Sequence, residues 1–179
     1  MSEPPFLSCT DPLALVGEWL DNATLNRVQR HPNAMTLATV DEHSRPSARV
    51  VLIKNLSRID GYATFFTHYE SRKSQEIARN SQAAGVIHWD KLGRQVRFEG
   101  PVIRAPEKDS DDYFATRPTG SQINAWVSAQ SRSLKNKREL ERRAQDKMDE
   151  FGVTDGAGVS ANVNPVLIPR PPFWGGYRF

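Results

Sequence analysis

Cysteine is almost missing from this chain: Cys9 stands alone among 179 residues. That excludes an intrachain disulfide and any cysteine-rich metal site. His31, His43, His68 and His88 nowhere take the i, i+4 spacing that sets two ligands on one helix face, so no metal is expected. No serine sits in a G-x-S-x-G turn, so no nucleophile–base triad can be argued and no catalytic side chain is assigned. No apolar run approaches the roughly 20 residues of a membrane-spanning helix. The opening Met1-Ser2-Glu3-Pro4-Pro5 lacks the basic and apolar regions of a signal peptide, and a cytoplasmic location away from membranes is expected. A strong excess of one charge is absent too, with 24 basic against 21 acidic residues. The densest basic run, Lys135 to Arg143, is interrupted by Glu139 and Glu141, as in a solvated helix face, and no nucleic-acid partner is expected.

What remains is an ordinary globular composition, 38% hydrophobic and 25% charged, at a length suited to one core. A single domain over residues 1–179 is expected, with a flexible N-terminus at 1–10 and a loop at 153–172. Asp11-Pro12 combines a capping side chain with a proline suited to the first helical position. Leu13, Val16, Trp19 and Leu20 follow at helical spacing, predicting a helix to about residue 30, where Pro32 stops it.

From Ala34 the pattern turns to short β-rich runs: 35–40, 48–56 and 62–67, joined by turns at 41–46 and Asp60-Gly61. A short helix over 71–80 follows, capped by Ser71 and with Ile77 facing inward. Strands are then predicted at 83–89 and 95–104. Five or more antiparallel strands of this length can close into a small barrel. Helices are expected at 106–115, 118–129 and 134–151. The final Phe173 to Phe179 reads as the opening of another strand.

Two stretches carry chemistry. In Arg49-Val50-Val51-Leu52-Ile53-Lys54, strand parity puts Arg49, Val51 and Ile53 on one face and Val50, Leu52 and Lys54 on the other, unless a bulge intervenes. The two cations then serve two anions, two ends of one site, or simply flared, solvated strand ends. Ser71-Arg72-Lys73 puts two cations in the first turn of a helix, against the macrodipole unless an anion sits there. A plain surface turn fits the pattern equally. Tyr113, Arg117 and Ser121 could form a phosphate clip, or Arg117 could be a favourable cation at a helix end. Gln130-Ser131 after Trp126 suits either a heteroaromatic ring or capping. Gly156 to Ala161 matches G-x-G-x-x-A, but it follows a helix and is rejected as a dinucleotide site.

Taken in order, the blocks Arg-Val-Val-Leu-Ile-Lys (49–54), Phe-Phe-Thr (65–67), Ser-Arg-Lys (71–73), Arg-Gln-Val (94–96), Asp-Tyr-Phe-x-x-Arg-Pro-x-x-Ser-Gln-Ile (112–123), Ala-Trp-Val-Ser-x-Gln-Ser (125–131) and Pro-Phe-Trp-Gly-Gly-Tyr-Arg (172–178) resemble the pyridoxamine 5'-phosphate oxidase family. The resemblance implies a mainly β fold with peripheral helices, the antiparallel split β-barrel of FMN-binding type. It also implies a homodimer with FMN at the interface. By the same resemblance, Arg49, Val50, Val51, Leu52, Ile53, Lys54, Phe66, Thr67, Arg72, Lys73, Gln95, Gln130 and Ser131 would contact FMN. Lys54, Tyr113, Arg117 and Ser121 would hold the phosphate of a phosphorylated B6 vitamer. The implied reaction oxidises pyridoxamine or pyridoxine 5'-phosphate to pyridoxal 5'-phosphate, with oxygen reduced to hydrogen peroxide.

The family pattern continues past the Trp-Gly-Gly block into a strand bearing an Arg-Leu-His-x-Arg motif, and it often begins with a basic arm. Neither has a counterpart in this chain, which ends at Phe179. Three readings stand open: a trimmed form of a normal oxidase, which is favoured, a short relative with another substrate such as a phenazine precursor, or a non-catalytic FMN- or pyridoxal-phosphate-binding protein.

Overall fold

A computed structural model describes residues 10–153 and 167–179. Most of the expected N-terminal tail and of the 153–172 loop, with Cys9 and the Gly156 to Ala161 pattern, lies outside the described residues; residues 167–171 carry no regular element. The helices are α1 (Pro12–Leu25), α2 (Arg72–Arg79), α3 (Glu107–Ala115), α4 (Thr119–Val127) and α5 (Lys137–Glu150). The strands are β1 (Ala34–Val40), β2 (Pro46–Ser57), β3 (Tyr62–His68), β4 (Gln82–Trp89), β5 (Arg94–Pro101), β6 (Ile103–Arg104) and β7 (Trp174–Arg178). All seven strands join one sheet in the order β5-β4-β1-β2-β3-β7-β6. The pairings of β1 with β2 and β4, of β2 with β3, of β4 with β5 and of β6 with β7 are antiparallel.

Turn chemistry sets the register of the first hairpin. One carboxylate oxygen of Asp41 accepts from the backbone N–H groups of His43 and Arg45, both at 2.9 Å, and Ser44 turns the chain at φ +60. Those bonds, led by the one from the Arg45 backbone, hold the Asp41 carboxyl at a pKa of about 2. The turn pairs Val40 with Pro46 and carries Met35 to Val51. Alternate residues Met35, Leu37, Val51 and Ile53 are consequently buried, while Val50 is 63% exposed on the opposite face.

Two elements depart from the sequence reading. Helix α1 stops at Leu25 instead of near residue 30, because Arg27 adopts a left-handed φ of +47. The Arg27 and Val28 N–H groups return to the carbonyls of Thr24 and Ala23, each at 3.2 Å, a Schellman motif that closes the helix before Pro32. The strand predicted over 95–104 splits into β5 and β6. Pro101 has no N–H to continue a ladder, and the Val102 N–H donates to the Ser81 carbonyl at 2.8 Å.

The chain packs as two compact units, residues 1–66, 76–104 and 177–179 forming the first and 67–75 and 105–176 the second. In the first, Trp89 is fully buried and its indole N–H donates to the Pro32 carbonyl at 2.8 Å, while Phe65 stacks on Tyr177 with centroids 5.6 Å apart. In the second, Trp126 meets Phe173 edge-on at 5.8 Å and Phe151 at 5.5 Å, and Phe114 is 2% exposed. Full burial of an aromatic such as Phe65 or Phe114 contributes about 2–3 kcal/mol. Among the described residues no helix is long and apolar enough to cross a membrane.

Candidate anion-binding site

Within the first unit, burial follows the predicted alternation from Arg49 to Ile53. Arg49 is half-buried on the face of the buried Val51 and Ile53, and Lys54 is exposed at a register shift between Ile53 and Asn55. The Arg49 guanidinium is heavily engaged. Its Nη1 donates to the Leu37 carbonyl at 3.3 Å and to the Thr39 hydroxyl, and its Nη2 donates to Ser47 Oγ at 2.5 Å and to Glu76 Oε2 at 3.1 Å. Glu76, 4% exposed, also accepts from the hydroxyls of Thr39 at 2.5 Å and Ser47 at 2.8 Å. With its Nη groups so occupied, Arg49 keeps chiefly its Nε–H for any ligand. Phe66 is half-buried on β3 and Gln95 is exposed on β5, where it pairs with His88.

Within the second unit, three predicted residues converge. Lys73 is only 8% exposed. Its ammonium donates to Thr67 Oγ1 at 2.8 Å, Ser71 Oγ at 3.1 Å and Gln130 Oε1 at 2.7 Å, and Thr67 donates to the same amide oxygen at 2.9 Å. Ser71 stands just ahead of α2, as expected of a cap, with its hydroxyl donating to the His68 carbonyl at 2.7 Å. Arg72 opens α2 and is exposed. Ser131 follows Gln130 at φ +68, a left-handed conformation uncommon outside glycine.

His68, which sequence reading passed over, lies beside this cluster. Its Nε2 meets the Ala125 carbonyl at 2.9 Å, and a carbonyl can only accept, so Nε2 carries the proton. Its buried Nδ1 has no hydrogen-bond partner among the described residues. Burial, above all, pushes its pKa below the ordinary range.

Tyr113 and Arg117 also meet, though α3 ends at Ala115 and Arg117 lies beyond it. Both pack on Trp174: the Tyr113 ring is nearly parallel to the indole at 6.2 Å, and the Arg117 guanidinium sits 4.5 Å from its centroid. Arg117 Nη1 is buried with no hydrogen-bond acceptor among the described residues. Burial weakens its hold on the proton, opposed by Tyr113, yet a guanidinium remains charged. Ser121, half-buried in the first turn of α4, gives its backbone N–H to the Pro118 carbonyl at 2.8 Å.

The structure thus joins Thr67, Lys73 and Gln130 in one cluster and Tyr113 with Arg117 in another. Sequence reasoning missed Glu76 and Trp174. Glu76 sits beside the predicted inward Ile77 but carries the signature of a solvated acid. Trp174 was visible as part of a block, without a role. A cleft of about 560 Å³ in the first unit, lined by Tyr62, Arg97, Glu99, Arg178 and Phe179 among others, contains none of the predicted residues.

Comparison with known proteins bears on what these clusters serve. Residues 22–146 match the family model described as pyridoxamine 5'-phosphate oxidase. The pyridoxine/pyridoxamine 5'-phosphate oxidases of Cupriavidus taiwanensis and Cupriavidus necator are 47% and 48% identical over 168 residues, covering 94% of this chain and 72% of theirs. The structure of PhzG from Burkholderia lata, in complex with tetrahydrophenazine-1-carboxylic acid, superimposes with a TM-score of 0.82 at 27% identity, over 99% of this chain and 80% of that one. A pyridoxamine 5'-phosphate oxidase-related, FMN binding protein from Nostoc punctiforme shares the fold, with a TM-score of 0.66 at 15% identity over 100% of this chain and 82% of its own. The fold is therefore the expected antiparallel split β-barrel, a seven-stranded sheet accompanied by five helices. With a family model covering most of its length and relatives nearly half identical to it, the chain belongs to the pyridoxamine 5'-phosphate oxidase family.

Proposed function

We propose that the protein is an FMN-dependent oxidase of phosphorylated B6 vitamers. Pyridoxine 5'-phosphate and oxygen would give pyridoxal 5'-phosphate and hydrogen peroxide; pyridoxamine 5'-phosphate would consume water as well and release ammonia. The observation that carries this reading is Arg117: a guanidinium with a buried N–H and no acceptor among the described residues calls for an anion, and Tyr113 beside it supplies a phenol. A substrate phosphate answers both.

The residues present also fit a flavin mononucleotide. Lys73 brings a buried positive charge whose N–H groups are met by Thr67, Ser71 and Gln130, so a phosphate would be drawn by the charge and would take over one of these donors, with the Gln130 amide beside it for polar ring edges. Arg72, at the opening of α2, adds a second cation. FMN would supply two-electron acceptance from the substrate carbon and its return to oxygen. The chain's own part is to bind and orient both phosphates, with Lys73 and Arg72 serving the cofactor and Arg117, Tyr113 and Ser121 the substrate. Two copies of the chain are proposed to share the site. The outward face of β2, which carries Val50 at 63% exposure, is the surface proposed for the partner.

The test is anaerobic. Purified protein is supplied with FMN, and bleaching of the flavin band is followed on adding pyridoxamine 5'-phosphate or pyridoxamine. Rapid bleaching by the phosphorylated amine alone, with peroxide formed when air is admitted, is the expected result. Failure to take up FMN would sink the proposal. The resemblance to PhzG favours a second reading, oxidation of a reduced phenazine ring. Turnover of such a ring that survives Arg117→Ala, with no reduction by the phosphorylated amine, would select it.

A further inference from the structure

Trp174 belongs to a sequence block that carried no assigned role, yet its indole is where Tyr113 and Arg117 come together. We infer that Trp174 is a positioning residue for the substrate phosphate, acting through Arg117. The inference rests on the phosphate-clip reading above.

A half-buried guanidinium needs a stabilising partner. A carboxylate would provide one, but it would cancel the charge and occupy the N–H fork that a phosphate requires. An indole face attracts the cation through its quadrupole and takes none of those donors. That is the arrangement found: the guanidinium lies 4.5 Å from the Trp174 centroid and 5.6 Å from that of Phe114, while Nη1 stays buried without an acceptor among the described residues. Arg49, by contrast, spends its Nη groups on Glu76, Ser47, Thr39 and Leu37. The two arginines therefore differ in kind, one neutralised in place and one held charged and ready.

The platform is itself fixed. Trp174 is 6% exposed and meets Phe114 edge-on at 5.2 Å. Its carbonyl accepts from Arg170 Nη1 at 2.7 Å, and Arg170 Nε donates to Asp111 at 2.6 Å. A Cβ at the next residue, Gly175, would stand 2.1 Å from the Tyr69 hydroxyl, so the chain packs here without slack. One rigid ring thus sets both the phenol and the guanidinium.

Calorimetry on the purified protein, with pyridoxal 5'-phosphate and pyridoxal as probes, gives the ratio of their dissociation constants. Trp174→Leu is expected to cut the preference for the phosphorylated form about tenfold, and Trp174→Phe, which keeps a ring, about threefold. Arg117→Ala should cut the preference further than either, leaving only what Tyr113 and Ser121 supply, and adding Trp174→Leu to it should change nothing more. If Trp174→Leu does not fold, the comparison of Trp174→Phe with wild type, alone and in the Arg117→Ala background, decides. A preference kept in the Trp174 variants but cut in Arg117→Ala overturns the inference and leaves the clip reading standing. So does a Trp174 effect that persists undiminished without Arg117. A preference undiminished in Arg117→Ala removes the clip reading itself.

Discussion

Arg49 and Glu76 form a buried ion pair, with Nη2 of the arginine 3.1 Å from a carboxylate oxygen and the two side chains 20% and 5% exposed. The hydroxyls of Thr39 and Ser47 close the network around the same carboxylate. Removing one partner of such a pair strands the other charge, so Glu76→Ala should lower stability by about 3 kcal/mol, and Glu76→Gln by less. Equilibrium urea unfolding measures both. A loss under about 1 kcal/mol would mean that water replaces the carboxylate at little cost.

His68 should give the protein an acid-sensitive limb. Burial holds its folded-state pKa below the ordinary 6.5, so the unfolded chain takes up a proton first as pH falls. The stabilisation from keeping the ring neutral is complete above pH 6.5 and is lost progressively below it. Denaturant titrations at a series of pH values should show this decline, and His68→Gln should flatten it even while lowering stability overall. An unchanged slope in that variant would assign the decline to other groups.

Gly175→Ala should destabilise by about 1–3 kcal/mol, since the new methyl group must displace a buried neighbour. The nearest atom is the Tyr69 hydroxyl oxygen at 2.1 Å, followed by the ring carbon bearing it at 2.7 Å. Tyr69→Phe should therefore rescue part of the loss and not all of it. A thermal-melt double-mutant cycle reads the coupling, and simple additivity would show that the clash is relieved elsewhere.

Lys73→Met keeps the length of the side chain and removes its charge. If Lys73 holds the FMN phosphate, flavin affinity should fall about tenfold to a hundredfold, as for one charge-assisted hydrogen bond. Quenching of flavin fluorescence on titration measures it. Equal affinity in the variant would leave the lysine a purely structural role with Thr67 and Gln130.

Val50→Glu tests the proposed partner surface. Two copies meeting across this face would bring the introduced carboxylates into apolar surroundings, and light scattering should then report monomers with weakened flavin retention. A dimer undisturbed by the change would place the interface elsewhere.

The strands were legible in the sequence because one face of each is buried and the other is not, which imposes a period of two on Met35 to Val40 and on Arg49 to Ile53. Parity alone could not place Lys54, where a register shift between Ile53 and Asn55 breaks the alternation. The end of α1 was not legible, since Arg27 carries no mark of the left-handed turn it makes. Nor was Glu76: an acid in a short polar helix looks solvated until the strand beside it delivers an arginine and two hydroxyls. Trp174 acts across a long chain separation, and local pattern has no reach there. The block resemblance supplied most of the site list. What it could not supply was the contrast between an arginine already spent and one left charged.

The place of β7 has a consequence for how the chain is made. The strand is the last of the described strands in sequence, yet in the sheet it lies between β3 and β6. A chain emerging from the ribosome N-terminus first can complete the β1–β2 hairpin and lay β4 and β5 beside it. Strand β6, however, must wait for residues 174–178 to find its partner. Until then β3 and β6 present open edges on which a second nascent chain could pair. A chain cut short before Trp174 should therefore aggregate more readily than one that includes residues 174–178.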